Sequence, residues 1–362
     1  MPVITTATAQ LVDVAVETLR TDAVQQFVKQ ETIVVDLTTD DGGTGTGYSY
    51  TIGTGGNSVL ELLRRSLLPL LPGRDARCVE QLSHTLHAAT HATTVGVITS
   101  LALAAVDTAL WDLRCRRVGE PLWRLAGGYR QRVPLYDTEH GWLHLDADDL
   151  VAGAVDARAK GWSGTKIKVG RPTVADDTAR LRAVREAVGP SFSVMVDANQ
   201  AFTGAEAVQR ARAFDELDLG WFEEPLPADD LAGHERLVAA TTIPVAVGES
   251  LSSIRQFAEY LRRGAATIVQ PDVARVGGIT PWLKVAHLAE ACNVAVAPHF
   301  LMELHVSLVA AVPNGRTVEH IPQLRAITSR EMTIEGGQAV APDEPGIGIA
   351  WDRDAMDDRR VA

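Results

Sequence analysis

Three acidic residues recur at equal intervals, each beside a short apolar run. Asp197 ends the run FSVMVD, Glu223 lies 26 residues further along, and Glu249 lies another 26 residues beyond. This interval is about one strand–helix unit, so a parallel barrel would direct the three carboxylates to one spot at the C-terminal ends of its strands. Converging carboxylates repel one another unless a cation joins them, and oxygen ligands favour Mg²⁺, with Mn²⁺ as a substitute. For any one of them alone, a helix cap or a surface charge is the alternative.

The stretch GTKIKVG, residues 164–170, places two lysines on one face of a predicted strand. Lys166 and Lys168 alternate with apolar residues, so both ammonium groups point to the same side. Burying two like charges is unfavourable unless something pairs with them. In a site, one lysine can act as general base while the other lowers its pKa and meets a substrate carboxylate. Two solvated residues at a strand end are the alternative.

Later strands add an acid–imidazole pair and a further acid. Asp272 ends IVQPD, His299 ends VAVAPH, and Glu319 lies in RTVEH. A carboxylate bonded to one ring nitrogen orients an imidazole and raises its basicity, although a histidine alone is more often structural. Counted from RVPLYDT as the first barrel strand, the lysines lie on strand 2 and the Asp–His pair on strands 6 and 7, on opposite walls. The arrangement favours abstraction of a proton α to a carboxylate, through an enediolate intermediate.

The elements that must position these residues follow two patterns. Within residues 1–125 the sequence predicts three strands, at 10–20, at 31–37 and in TGTGYSYTI, and then helices at about 58–71, 76–87 and 97–117. That order indicates an α+β domain. From residue 133, eight short apolar runs alternate with longer amphipathic segments, which predicts an α/β fold with a parallel (β/α)8 TIM barrel over 126–330. The Gly/Pro-rich segment 331–362 is expected to pack back on the first domain or across the barrel mouth.

Composition and charge narrow the class of protein. The 362 residues are 22% charged and 46% hydrophobic, with a net charge of −12 and a pI of about 5.3. Acidity of this size argues against nucleic acid and anionic membranes as partners. The cysteines lie far apart without metal spacing, and the N-terminus has no signal-peptide pattern, so a cytoplasmic location is expected. The apolar run 97–111 is too short to span a bilayer and contains Asp107, so it predicts a buried helix.

Eight motifs together resemble the enolase superfamily, mandelate racemase subgroup, over essentially the whole chain. They are AAVDTALWDL (104–113), KIKVG (166–170), MVDANQ (195–200), WFEEPL (221–226), VGES (247–250), QPDVARVGGIT (270–280), PHF (298–300) and EH (319–320). The resemblance implies a capping domain, completed by the C-terminal segment, on a modified barrel. It also implies Mg²⁺ held by Asp197, Glu223 and Glu249, and a homo-oligomer, either an octamer or a dimer.

The same resemblance assigns catalytic roles. Lys168 would be the base on one face of the substrate, with Lys166 tuning it and contacting the substrate carboxylate. His299 with Asp272 would be the base or acid on the other face. Glu319 would donate a hydrogen bond to the substrate carboxylate.

Substrate contacts are expected from the barrel and from two capping loops. Asn199 in MVDANQ and Thr138 after LYD are the barrel candidates. The capping loops are 20–29, which carries Lys29, and 50–57. Loop 20–29 would form a polar lid over the site, and a polar lid suits a polyol acid substrate better than an aromatic hydroxy acid. The alternative is that its polar residues belong to a solvated surface loop.

Three functions are compatible with these residues. Dehydration of an acid sugar to a 2-keto-3-deoxy acid, as in galactarate/talarate-type enzymes, is the leading expectation. A racemase or epimerase of a 2-hydroxy acid is the alternative, because two opposed bases serve it equally well. A non-catalytic binding or structural protein on this fold would be expected to lack a ligand or a base, and none is missing here.

Overall fold

The computed structural model describes residues 2–362, which form a capping unit and a barrel. The strands are β1 (Ile4–Thr21), β2 (Gln26–Thr39), β3 (Thr44–Thr51), β4 (Arg132–Asp137), β5 (Gly164–Lys168), β6 (Ser193–Asp197), β7 (Phe222–Glu223), β8 (Val245–Val247), β9 (Ile268–Val269), β10 (Ala295–Val296), β11 (Val318–His320), β12 (Ile334–Glu335) and β13 (Gln338–Val340). The α-helices are α1 (Gly56–Leu62), α2 (Val79–Ala89), α3 (Val97–Val118), α4 (Leu122–Leu125), α5 (Ala147–Ala159), α6 (Val174–Val188), α7 (Gly204–Phe214), α8 (Leu231–Ala240), α9 (Ile254–Arg263), α10 (Ile279–Ala291), α11 (Met302–Ala311) and α12 (Arg353–Asp358).

The capping unit is an antiparallel sheet in the order β1-β2-β3, against which α3 packs. β1 and β2 are longer than predicted, because the two strands pair along most of the hairpin even where side chains are exposed. The glycines of TGTGYSYT allow α3 to lie directly on the β3 backbone. A Cβ at Gly47 would lie 2.2 Å from Ala109 N, and one at Gly45 would lie 2.4 Å from Ala109 O.

One predicted helix is divided. The segment predicted as a helix at 58–71 consists of α1, a π-helical turn (Leu63–Leu67) and a 3-10 turn (Leu68–Leu70). Pro69 lies in the 3-10 turn, and because proline has no N–H it cannot continue an α-helical hydrogen-bond ladder. The helix predicted at 97–117 is confirmed as α3, and its apolar run 97–111 is largely buried as predicted.

Eight parallel strands, β4 to β11, form the barrel within residues 2–362. Each strand pairs with the next from β4 to β10, and β11 pairs with β4, which brings the two ends of the strand series together. A bridge between Val296 and Gly315 connects β10 to the segment before β11. The predicted fold class, a barrel with an α+β capping domain, is confirmed. None of the helices in the described part of the chain is long and apolar enough to cross a membrane.

The barrel departs from a regular (β/α)8 pattern after β11. Helices α5 to α11 follow the first seven barrel strands, but β11 is followed by a single 3-10 turn, Arg325–Ile327. The C-terminal segment returns to this region and packs there. Asp352 N donates to Ile327 O, and Ser329 N donates to Ala350 O.

The C-terminal segment contacts both parts of the molecule. β13 pairs antiparallel with β4 on the barrel. Further along, Ile347 N donates to Asp112 Oδ1 on α3 at 2.9 Å, and Val361 N donates to Leu11 O on β1 at 2.9 Å. The segment therefore connects the barrel to the sheet of the capping unit.

Candidate active site

The three predicted metal ligands meet at the C-terminal end of the barrel strands. Asp197 ends β6, Glu223 ends β7, and Glu249 lies just beyond β8. Each side chain is buried and offers a carboxylate oxygen, and these oxygens lie within 4.8 Å of one another. The parallel register pairs Asp197 with Glu223 directly, so equal spacing along the chain becomes proximity in space.

The charges and hydrogen bonds of this cluster fit a divalent cation. Burial, reinforced by repulsion from Asp197, raises the pKa of Glu223 to about 8. Trp221 Nε1 and Gln270 Nε2 donate to Glu223 Oε2 at 2.9 and 2.7 Å and hold this carboxylate in place. Among the described residues none forms a hydrogen bond with the buried Oε2 of Glu249. Mutual repulsion among three carboxylates, and a Glu249 oxygen that accepts no hydrogen bond from the described residues although His299 Nε2 lies 3.3 Å away, suit a hard cation such as Mg²⁺.

Both lysines point into the acid cluster. Lys166 Nζ lies 2.7 Å from Glu223 Oε1 and 2.9 Å from Glu319 Oε1. Lys168 Nζ forms a close ion pair with Asp197. The lysine side chains are 1% and 7% exposed, which rules out the alternative of two solvated residues at a strand end.

The pKa values of the lysines reflect these ion pairs. Burial opposes the charge on both, but the surrounding carboxylates outweigh burial and raise each pKa. Lys166 lowers the pKa of Lys168, as the sequence predicts, yet the attraction of Asp197 is the larger effect. Abstraction of a proton by Lys168 therefore requires its ion pair with Asp197 to weaken, and a cation bound to Asp197 would compete for the same carboxylate.

His299 approaches the cluster from another wall of the barrel, just after β10. Its Nδ1 lies 3.0 Å from Asp272 Oδ2, and its Nε2 lies 3.3 Å from Glu249 Oε2. Burial lowers the pKa of His299, but the neighbouring carboxylates, led by Glu249, outweigh burial and raise it. His299 and Lys168 line the same pocket, so one imidazole and one ammonium group face a common space.

Glu319 is surrounded by donors rather than acceptors. Its Oε1 accepts from Thr138 Oγ1 at 2.8 Å, and its Oε2 accepts from Phe300 N at 2.8 Å. Phe300 has a φ of 71°, a strained conformation for a residue with a side chain. Burial opposes ionisation of Glu319, but Lys166 and His299 outweigh burial and lower its pKa to about 2. Glu319 is thus a carboxylate here, and the predicted donation to a substrate requires it to gain a proton.

Two of the predicted substrate contacts line the pocket and one does not. Thr138 and Asn199 both line it. Asn199 N donates to Asp197 Oδ1 at 2.9 Å, and Asn199 Oδ1 is buried without a hydrogen bond in the described part of the chain. Lys29 is instead paired with Asp13 at 2.8 Å and with Glu31 at 3.3 Å, on the sheet of the capping unit. The sequence could not show this, because the cross-strand neighbours of Lys29 depend on the β1–β2 register.

Further residues line the pocket, and the sequence gives none of them an individual role. The capping unit contributes Asp22, Gln25 and Phe27, and the barrel contributes Trp142 and Arg275. Phe27 packs edge-on against Trp142, with ring centroids 5.6 Å apart. Loop 20–29 is rich in polar residues, but nothing in the sequence separates those that face the pocket from those that face solvent.

Comparison with known proteins agrees with this geometry. Residues 5–127 match the family described as mandelate racemase / muconate lactonizing enzyme, N-terminal domain, and residues 149–355 match the family described as enolase C-terminal domain-like. An L-talarate/galactarate dehydratase of Salmonella typhimurium is 36% identical over 89% of this chain and 81% of its own length. A 3,6-anhydro-alpha-L-galactonate cycloisomerase of Streptomyces coelicolor is 39% identical over 89% of each chain.

A solved structure supports the same assignment. A racemase from Streptomyces coelicolor with bound magnesium superposes with a TM-score of 0.95 at 36% identity, over 99% of this chain and all of that one. The family matches, the capping unit and the acid cluster at the barrel strand ends agree with one another. This chain therefore belongs to the mandelate racemase subgroup of the enolase superfamily.

Proposed function

We propose that this chain is an acid-sugar dehydratase that depends on Mg²⁺. It would act on an aldarate or aldonate and release a 2-keto-3-deoxy acid. The observation that carries the proposal is the pocket that Lys168 and His299 share beside the carboxylates of Asp197, Glu223 and Glu249. The similarity to L-talarate/galactarate dehydratase supports dehydration as the reaction.

The metal and the substrate carboxylate would occupy adjacent parts of the pocket. Asp197, Glu223 and Glu249 would hold the ion, and bound Mg²⁺ supplies a Lewis acid that favours negative charge on the substrate carboxylate. The magnesium-bound racemase supports the choice of metal. Lys166 Nζ lies between Glu223 and Glu319, where its buried charge attracts a carboxylate.

The chemistry then needs one base and one acid. A neutral base, Lys168 or His299, takes the proton from the α-carbon, and the electron pair of the C–H bond becomes part of an enediolate. The β C–O bond breaks with its electron pair on oxygen, and protonated His299 gives that oxygen a proton, so that water leaves. The electron pair from the α-carbon forms the Cα=Cβ double bond of an enol, which then loses its O–H proton and gains a proton on the β-carbon to become the 2-keto-3-deoxy acid. Asp272 holds the His299 ring through Nδ1, which leaves Nε2 for proton transfer.

Racemisation or epimerisation of a 2-hydroxy acid is the second candidate. The observation that favours it is the pair of proton-transfer groups on separate barrel strands, Lys168 on β5 and His299 after β10. A proton removed by one group and returned by the other inverts the α-carbon without loss of water. The similarity to a racemase supports this alternative.

The predicted partners follow from the same proposal. The substrate is a small carboxylate, and the excess of acidic residues disfavours nucleic acid. Homo-oligomeric assembly and a cytoplasmic location stay predictions from the sequence.

Proton NMR in D₂O tests the reaction directly. Purified protein with Mg²⁺ would be incubated with a panel of aldarates, aldonates and an anhydro sugar acid, with mandelate as an aromatic control. Loss of substrate with appearance of a 2-keto-3-deoxy product is expected, and EDTA should stop it. Inversion or α-proton exchange without elimination would favour the racemase alternative. Neither exchange nor product with any compound, despite Mg²⁺ binding, would contradict the proposal.

Single substitutions test which face of the substrate Lys168 and His299 each serve. His299→Asn should abolish dehydration, because His299 is the acid whichever group is the base, and Lys168→Ala should abolish it for a substrate whose α-proton faces Lys168. Each should also remove α-proton exchange for one of two C2-epimeric substrates only, because each group serves one face. Lys29→Ala is the matched lysine control and should change neither rate, since Lys29 lies outside the pocket.

A further inference from the structure

A tyrosine of the capping unit reaches the acid that orients the catalytic histidine. Tyr50 lies in β3, 222 positions before Asp272, and its hydroxyl donates to Asp272 Oδ2 at 2.6 Å. The same oxygen is 3.0 Å from His299 Nδ1. Tyr50 is 2% exposed and Asp272 is fully buried, so no bulk water competes for this contact. One carboxylate oxygen thus joins a group of the capping unit to a proton-transfer group of the barrel.

The other carboxylate oxygen of Asp272 accepts hydrogen bonds from the backbone. Oδ1 accepts from Ala274 N at 2.8 Å and from Arg275 N at 3.1 Å. These bonds tie the carboxylate to the turn after β9 and fix its plane. With Oδ1 held by backbone and Oδ2 held by Tyr50, the carboxylate has little freedom to rotate away from His299.

The ring of Tyr50 supports His299 by a second route. Tyr50 packs on Phe300 with ring centroids 4.7 Å apart, and Phe300 stacks on the His299 imidazole at 5.2 Å with an interplanar angle of 13°. The hydroxyl of Tyr50 therefore holds the carboxylate that bonds the His299 ring, and the ring of Tyr50 packs on Phe300, which stacks on the imidazole. The ring contact survives a change to phenylalanine, whereas the hydroxyl contact does not.

We propose that Tyr50 is a positioning residue for the proton transfer at His299, acting through its hydrogen bond to Asp272. The inference rests on the proposed function, in which His299 exchanges a proton with the substrate. It places a positioning residue on the capping unit, so that docking of the cap on the barrel adds a third group to the Asp272–His299 pair. Lys168, whose ion pair is with Asp197, is independent of this contact.

Tyr48 provides a matched control. It lies two positions before Tyr50 on the same face of β3 and is 1% exposed. Its hydroxyl forms no hydrogen bond with the described residues. Tyr48→Phe and Tyr50→Phe therefore remove the same group from equally buried sites of one strand, and only the second removes a contact with Asp272.

The decisive experiment compares these two variants on both faces of the substrate. Exchange of the α-proton in D₂O would be measured for two C2-epimers with the Mg²⁺-loaded protein. Tyr50→Phe should lower the His299-dependent exchange by about tenfold or more, as expected for loss of a hydrogen bond to a charged group, and leave the Lys168-dependent exchange within about twofold. Tyr48→Phe should change neither. An equal loss on both faces, no loss on either, or the same loss in Tyr48→Phe would overturn the assignment.

A second readout needs no substrate. In protein labelled with ¹⁵N-histidine, the Nδ1–H signal of His299 is assigned by its disappearance in His299→Asn. Tyr50→Phe should shift this signal and Tyr48→Phe should not, and an unshifted signal in Tyr50→Phe would refute the contact. If the wild-type protein exchanges neither epimer, the proposed function fails while this signal still decides the role of Tyr50.

Discussion

Asp107 is a buried carboxyl at the junction of the capping unit and the barrel, and its surroundings predict that the stability of the protein depends on pH. It lies on α3, is 3% exposed, and accepts a hydrogen bond from Thr280 N, at the start of α10, at 2.8 Å. Its Oδ1 is buried without a partner in the described part of the chain. Burial is the largest influence and raises the pKa of Asp107 from 3.8 to about 6.

The sign and size of the effect follow from this pKa. The folded protein holds the proton of Asp107 more tightly than the unfolded chain does. The resulting stabilisation is fully present below pH 3.8 and is lost as pH rises through about 6. A difference of about two pH units corresponds to a change of about 3 kcal/mol in the free energy of unfolding. For 362 residues that equals a shift of about 4 °C in Tm.

Thermal unfolding of Asp107→Asn and wild-type protein between pH 4 and pH 7 tests this reasoning. Asparagine keeps an oxygen for Thr280 N but cannot ionise, so Tm of the variant relative to wild type should rise by about 3 °C between pH 4 and pH 7, since part of the effect already lies below pH 4. Trp111→Phe is the control. It removes the 2.9 Å hydrogen bond from Trp111 Nε1 to Thr280 Oγ1 at the same junction, and should lower Tm equally at every pH. Parallel curves for wild type and Asp107→Asn would refute the assigned pKa.

Two further predictions concern the same junction and the pocket lid. Gly278→Ala should destabilise the protein by about 3 kcal/mol or more, because φ is 120° and the new Cβ would lie 2.5 Å from Asp107; Gly119→Ala, at φ 74° with free space, should cost about 1 kcal/mol. Equal losses of Tm in the two variants would show that the close approach to Asp107 is unimportant. Phe27→Ala should raise KM several-fold because Phe27 lines the pocket, whereas Lys29→Ala should leave KM unchanged; the reverse order in steady-state assays would contradict the placement of the lid.

The candidate metal-binding and proton-transfer groups were predictable because they obey short-range rules. Asp197, Glu223 and Glu249 follow apolar runs at one fixed interval, and parallel strands convert that interval into adjacency. The two lysines were predictable because alternation along a strand puts residues i and i+2 on one face. Their ion pairs were not, since the partner of each ammonium group depends on which carboxylate the neighbouring strand presents.

The contacts made by residues of the capping unit could not be predicted from such short-range rules. The positions of Phe27 and Lys29 relative to the pocket depend on how far the β1–β2 hairpin extends over the barrel. The contact of Tyr50 with Asp272 depends on how the whole cap docks, and the two residues are 222 positions apart. No local pattern encodes a contact between two layers whose residues lie far apart in the sequence.

The sequence by itself determined the fold class, the order of the elements and the acid, lysine and histidine groups at the strand ends, because strand and helix periodicity and strand polarity depend on neighbours a few residues away. Only the tertiary structure decided the ion pairs of Lys166 and Lys168, the ionisation of Glu319 and the reach of Tyr50. Those properties arise from burial and from charges that come together across strands and domains, and their energies depend on distances that no linear spacing contains.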